Sequence, residues 1–276
     1  MTAPPAVLRA EGLGFVYPDG TRALEAVDLE VRAGERTAII GQNGSGKSTL
    51  IRHFNGLLRA TEGSVSVGGE AVGRRHVAAL AREVGIAFQN PDRQIFAGRV
   101  ASEVEFGPRN LGISGADLDE RVGRALTDVG LADDRDTNPY DLGYSQRKLL
   151  ALASILAMRT PTIVLDEPTT GQDASGVRRV RGIVERLAAE GRTVVAISHD
   201  MRFVAETFER VVVMREGTII LDADPGTVFG ASSWEALAST GLDPPLAARI
   251  GARTGLGSTP SEASLVRALV ARGSSG

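Results

Sequence analysis

The chain has no cysteine among its 276 residues, which removes disulfides, thiolate catalysis, zinc fingers and iron–sulfur ligation together. That fits a reducing compartment. Nor is there an excess of charge: 31 basic side chains face 34 acidic ones, a net of -3, so no electrostatic footprint points to a nucleic-acid partner. Long apolar runs are missing too. No stretch approaches the ~18 uninterrupted apolar residues of a membrane-spanning helix, and Met1–Ala10 shows no charged head followed by an apolar run. The expectation is a chain that neither crosses a membrane nor carries a secretion signal. No internal repeat recurs at a fixed period.

What is present is a globular composition, 42% hydrophobic and 24% charged, enough to bury a real core. Short runs rich in β-branched residues alternate with longer helical patterns, the signature of parallel βαβ units. The expected strands are Thr37–Ile40, Val84–Phe88, Thr162–Leu165 and Thr193–Ile197. Loops and helices follow them, so their carboxyl ends should gather at one edge, where ligands bind in such sheets. Val7–Val31 and Ser64–Val67 read instead as strands of an antiparallel subdomain, with Pro18, Asp19 and Gly20 as a turn. Between Gly98 and Asp141 lies a mostly helical insert. A composition shift near Asp222, with Pro225, Pro244 and Pro245, marks a small C-terminal appendage of short helical patterns up to Ala271 and a frayed tail at Gly273–Gly276.

Gly41-Gln42-Asn43-Gly44-Ser45-Gly46-Lys47-Ser48 matches the phosphate-binding loop in every required position, and Thr49 follows it. Glycines let the backbone curl so that successive N–H groups face phosphate oxygens, and the helix beyond presents its positive end to the same anion. Lys47 can then reach the β and γ phosphates, and the Ser48 hydroxyl can ligate Mg²⁺. A glycine-rich turn of no function is the plain alternative. The position of this one, after an expected strand and opening an expected helix, argues against it.

Thr162-Ile163-Val164-Leu165-Asp166-Glu167 is an apolar strand ending in adjacent acids. Two carboxylates at one strand tip repel, so they call for a cation or a proton-transfer role. Asp166 is placed to hold Mg²⁺, Glu167 to orient the attacking water or take its proton. A strand can also end in acids because the loop beyond is solvated, a reading that recedes once the phosphate loop is considered.

The order and spacing of these and further motifs resemble the ATP-binding-cassette ATPases over Val7 to about Leu221. Gln89 looks like the Q-loop glutamine that touches Mg²⁺ and couples to a membrane partner. Asp173 resembles the D-loop aspartate, His199 the switch histidine at the γ phosphate, and Tyr17 the aromatic that stacks on adenine. Each alone would more often be ordinary surface or core; their order around two strong motifs gives them weight. The resemblance implies an α/β fold: a P-loop NTPase core with a parallel sheet, an antiparallel β subdomain and a helical subdomain at about 98–160, all within residues 1–222, then the appendage at 223–276. It implies ATP hydrolysis with Lys47, Gln89, Glu167 and His199 in catalysis. It also implies a peripheral place at the cytoplasmic face of the cell membrane, beside integral membrane subunits.

One motif departs from the family. Where the usual signature reads Leu-Ser-Gly-Gly-Gln, this chain has Leu142-Gly143-Tyr144-Ser145-Gln146, followed by a helix through Arg147 and Lys148 to Leu156. In the family this segment clamps the γ phosphate bound to the opposite subunit. Gly143, Ser145 and Gln146 are therefore the expected contacts to a partner's ATP, yet Gly143 has no hydroxyl and Ser145 sits two positions on. Head-to-tail pairing with a second ATPase that brings an ordinary signature, a heterodimer, is the expected assembly. Phe88-Gln89-Asn90-Pro91-Asp92-Arg93-Gln94-Ile95-Phe96 looks most like the energy-coupling-factor subgroup, which drives uptake of vitamins or of nickel and cobalt ions. Its apolar residues suit a docking surface for a membrane subunit, unless Ile95 and Phe96 are core. A chromosome-maintenance ATPase would need a heptad-bearing insertion that is not there. A soluble ATPase for cofactor assembly would share every nucleotide motif, and a non-catalytic binding module would be favoured had Glu167 or His199 been missing.

Overall fold

A computed structural model describes residues 4–274 of the chain. β1 (Ala6–Val16) and β2 (Arg22–Arg32) form a long antiparallel hairpin, after which β3 (Arg36–Ile40) crosses to a second sheet and the phosphate loop opens α1 (Lys47–Phe54). β4 (Glu62–Val67) returns to pair antiparallel with β1, and β5 (Glu70–Ala71) completes a four-stranded sheet in the order β2-β1-β4-β5. The short α2 (Val77–Leu80) leads to β6 (Val84–Ala87). Next come the helical insert, α3 (Val100–Asn110) and α4 (Gly115–Val129), and the helix that leads back to the core, α5 (Tyr144–Met158).

The chain then alternates strand and helix: β7 (Thr162–Asp166), α6 (Ala174–Ala189), β8 (Thr193–Ile197), α7 (Met201–Thr207) and the hairpin of β9 (Arg210–Arg215) with β10 (Thr218–Ala223). The second sheet has six strands in the order β10-β9-β3-β8-β7-β6, parallel except for β10. All four expected parallel strands are present, with ends within one residue of expectation. The β9–β10 hairpin is an addition to that reading. Its two-residue turn, Glu216-Gly217, has φ of +48° and +80°, the primed-turn geometry that glycine favours.

Each central strand is buried on both faces, and alternate residues feed two cores. Ile39, Val164, Val195 and Val212 point to the face shared with the antiparallel sheet and with Leu50, Ile51 and Phe54 of α1. Ile40, Leu165, Val194 and Val213 point to the opposite face, against α3 to α6. α8 (Pro225–Val228), α9 (Trp234–Ala238), α10 (Leu246–Arg253) and α11 (Glu262–Gly273) form the C-terminal segment. Its Val228, Phe229, Leu237 and Ala248 join the second of these cores. α11 runs to Gly273, two residues beyond the expected Ala271, and its start is capped by Ser261, which accepts the Ser264 N–H. The rest of the expected tail lies outside the described residues, save Ser274, the C-cap of α11.

The docking reading of Ile95 is corrected here. Ile95 is 3% exposed and belongs to the core, whereas Phe96 is 60% exposed and packs edge-on against Phe106 at 4.6 Å. The divergence is local: Glu103 Oε2 accepts the backbone N–H groups of Phe96 and Ala97 at 3.0 and 2.9 Å, turning one side chain in and the next out.

Candidate active site

The phosphate loop joins β3 to α1, and two of its glycines are sterically required. Gly46 has φ of +97°, and a Cβ there would lie 2.6 Å from the Ala23 carbonyl oxygen; at Gly41 it would collide with the Met214 carbonyl. α1 opens directly on Lys47, so the unpaired N–H groups of its first turn stand at the loop. Lys47, 6% exposed, donates from Nζ to the carbonyls of Gly41 and Gln42 at 2.6 and 2.7 Å and to Ser45 Oγ at 3.3 Å. Burial lowers its pKa, against the opposing pull of Glu167 and Asp166.

Asp166 ends β7 and Glu167 follows it. Asp166 Oδ1 accepts a long hydrogen bond of 3.5 Å from Ser48 Oγ, so oxygens from two different elements stand side by side. Burial raises the Asp166 pKa, opposed by that hydrogen bond and by Arg52, Lys47 and Lys148. Glu167 adopts φ of +54°, the left-handed region that a non-glycine residue rarely enters. Its N–H is fixed by Ile197 O at 2.9 Å, across the parallel pairing of β7 and β8. That pairing brings the ends of both strands together, and so brings His199 to Glu167.

His199 Nε2 lies 3.1 Å from Glu167 Oε1, while Oε2 accepts from Thr170 Oγ1 at 3.1 Å and from the His199 N–H at 3.3 Å. Burial is the main influence raising the Glu167 pKa, with His199 the chief opposing one. A buried carboxylate so held is suited to taking up a proton.

Asn43 to Thr49, Tyr17, Gln89, Asp166, Glu167 and His199 all line one cavity of about 380 Å³. Gly41 lies just behind it, under the Lys47 ammonium. Tyr17 is half-buried, with its hydroxyl 3.0 Å from Thr49 Oγ1 and its ring edge-on to Phe15 at 4.8 Å. Gln89 is exposed at the rim. Asp173 is not in this cavity; it caps α6 by accepting the Gly176 N–H at 2.7 Å.

Gly143, Ser145 and Gln146 also lie outside the cavity. Gly143 precedes α5 and donates its N–H to Gln146 Oε1 at 3.2 Å. Ser145 Oγ donates to Gln172 Oε1 at 2.7 Å, and Gln172 Nε2 returns a bond to Ser145 O at 3.0 Å. The Tyr144 ring lies over Gly171, where a Cβ would sit 2.9 Å from Cε1.

Sequence reasoning missed Thr21, Arg22, Ala23 and Ile197, which also line the cavity. It missed Thr170 and Lys148 as partners of Glu167. Lys148 left a signal: it stands at the spacing of Leu152 and Leu156 on an apolar face of α5, where a lone cation calls for a reason.

A family model described as ABC transporter matches residues 24–170. The energy-coupling factor transporter ATP-binding protein of Methanothermobacter thermautotrophicus is 40% identical over 225 residues, covering 81% of this chain and 72% of that one. A relative from Caldanaerobacter subterraneus, named as an ABC transporter ATP-binding protein, is 42% identical over 249 residues. The chain covers only 43% of that relative's length, against 90% of its own. Among solved structures, cbiO1 from Clostridium perfringens, described as part of the ABC transporter complex cbiONQ, superposes with a TM-score of 0.74 at 34% identity. That match covers 91% of this chain and 99% of the other.

Proposed function

Because this chain belongs to the ABC transporter family, we propose that it is the ATP-hydrolysing subunit of a membrane transporter, of the energy-coupling-factor type that takes up a vitamin or metal ion. One observation carries the reading: Lys47, Ser48, Asp166, Glu167 and His199, from three separate stretches of sequence, line a single cavity. The likeness to the Methanothermobacter and Clostridium proteins supports the subgroup.

The residues divide the work as follows. Loop N–H groups and the start of α1 receive the phosphates, and Lys47 exchanges its carbonyl partners for β and γ oxygens. Asp166 and Ser48, with Gln89 at the rim, fit Mg²⁺, a hard ion that takes one or two protein oxygens together with phosphate and water. When bound, it neutralises phosphate charge. Glu167 orients the attacking water or takes its proton, and His199, beside it, steadies the carboxylate and reaches the γ phosphate. Tyr17 stacks on adenine.

Gly143, Ser145 and Gln146 face a partner's nucleotide in a head-to-tail pair, where the Tyr144 side chain and the missing hydroxyl weaken this chain's contribution. The partner is therefore a second ATPase with an ordinary signature, and both dock on integral membrane subunits. The test is to express the chain with its neighbouring genes and identify what accompanies it into detergent extracts. Membrane subunits and a second ATPase are expected; soluble assembly proteins alone would contradict the transport reading.

A further inference from the structure

The helix that follows the signature reaches back into the chain's own site. Lys148, on α5, is 7% exposed and absent from the nucleotide cavity. Its ammonium donates to two main-chain carbonyls, those of Glu167 and Thr170, the second at 3.0 Å. A buried ammonium is costly unless its donors are used, and burial holds the Lys148 pKa down at about 8.

The two acceptors are the ends of one turn. Thr170 N closes it on Glu167 O at 3.3 Å, and Thr170 Oγ1 bonds the Glu167 carboxylate. The turn begins with Glu167 in the left-handed region, a conformation that persists only where the surroundings over-determine it. Lys148 adds to that determination, beside the Glu167 N–H bond to Ile197 O at 2.9 Å, since holding the Glu167 carbonyl holds the peptide plane that follows the reactive side chain. One turn earlier on α5, Ser145 and Gln172 grip the same loop through their reciprocal bonds, so helix and loop are joined at two points.

We propose that Lys148 is a positioning residue for ATP hydrolysis, holding the Glu167 main chain so that its carboxylate stays against His199. A displacement of α5 then reaches Glu167 through Lys148 without any contact between Lys148 and nucleotide. This rests on the reading of Glu167 as the acid that handles the water.

The test is a double-mutant cycle in the assembled transporter complex. Lys148→Met should lower kcat by ~10- to 100-fold, the scale of a misplaced catalytic group, with the KM for ATP within about twofold, because Lys47, Ser48 and Asp166 are untouched. Lys148→Gln, which keeps a donor, should recover part of the loss, and it carries the same test if Lys148→Met does not assemble. In a Glu167→Gln background either change should leave the residual rate unmoved, since the group being positioned is already gone. A further drop of the same size in that background, a raised KM with kcat intact, or full kcat in folded Lys148→Met and Lys148→Gln proteins would overturn the inference. Undiminished turnover in Glu167→Gln alone would instead remove the reading beneath it.

Discussion

At the residue scale, the site is a set of buried charges held against desolvation, and two predictions follow from how each is held. Lys47→Ala removes the buried cation proposed to meet phosphate oxygens. Charge-assisted hydrogen bonds contribute ~1.5–3 kcal/mol, so titration calorimetry should show ATP affinity falling by at least ~10-fold; an unchanged affinity contradicts the assignment. Glu167 works the other way. Its folded-state pKa is raised by burial, so the folded protein holds that proton more tightly than the unfolded chain, and stability falls as pH rises through the raised value. Above the ordinary carboxylate range Glu167 therefore counts against folding. Glu167→Gln keeps an oxygen for Thr170 Oγ1 and loses the charge. The nucleotide-free variant should melt above the wild type at pH 7.5, by a margin that shrinks towards pH 5. A lower Tm at pH 7.5 would contradict this. Lys47, Ser48 and Asp166 were legible in the sequence because phosphate loops and acid-tipped strands are contiguous patterns. Thr170 and Lys148 were not, because their meaning depends on which carbonyl or carboxylate the fold brings to them.

At the element scale, the segment after β6 is a braced platform. Gln94 Oε1 accepts the Phe88 N–H at 3.1 Å while its Nε2 donates to Ala151 O at 2.8 Å, and Arg147 Nε bonds Asp92 Oδ1 at 3.0 Å, tying the loop to α5. The platform leaves Phe96 and Phe106 as an exposed aromatic pair, a patch that suits a protein partner better than water. Phe96→Asp should change Tm little, since surface substitutions mostly stay within ~0.5 kcal/mol, yet abolish co-purification with the membrane subunits. Retained co-purification would remove the docking role. Ile95→Asp should instead destabilise the fold itself. The pattern of residues 88–96 indicated a surface, but inward and outward neighbours could not be told apart without Glu103, which sits on another element. The β9–β10 hairpin did carry strand and turn signals in the sequence, in Val211-Val212-Val213 and Glu216-Gly217.

At the scale of the whole molecule, β3, β7 and β8 of the six-stranded sheet and the segments that follow them bring together Lys47, Asp166, Glu167 and His199, while Gly143, Ser145 and Gln146 lie outside the cavity they form. In the proposed head-to-tail pair each chain would lend its signature to the other's ATP. On that proposal this chain would keep its own hydrolytic set whole and give its partner an altered signature, whose Ser145 is already engaged with Gln172. The isolated chain, forced to pair with itself, should hydrolyse ATP slowly, and adding a partner with an ordinary signature should raise turnover; a vigorous homodimer would show that Gly143, Tyr144 and Ser145 form a competent signature. The most direct test of the account is ATP turnover by the assembled complex carrying Glu167→Gln here, beside a complex carrying the equivalent acid-to-amide change in the partner. Loss of a positioned general base costs ~10²- to 10⁴-fold: the account predicts that loss for Glu167→Gln and a much smaller one for the partner's variant, whereas undiminished turnover in Glu167→Gln would contradict it.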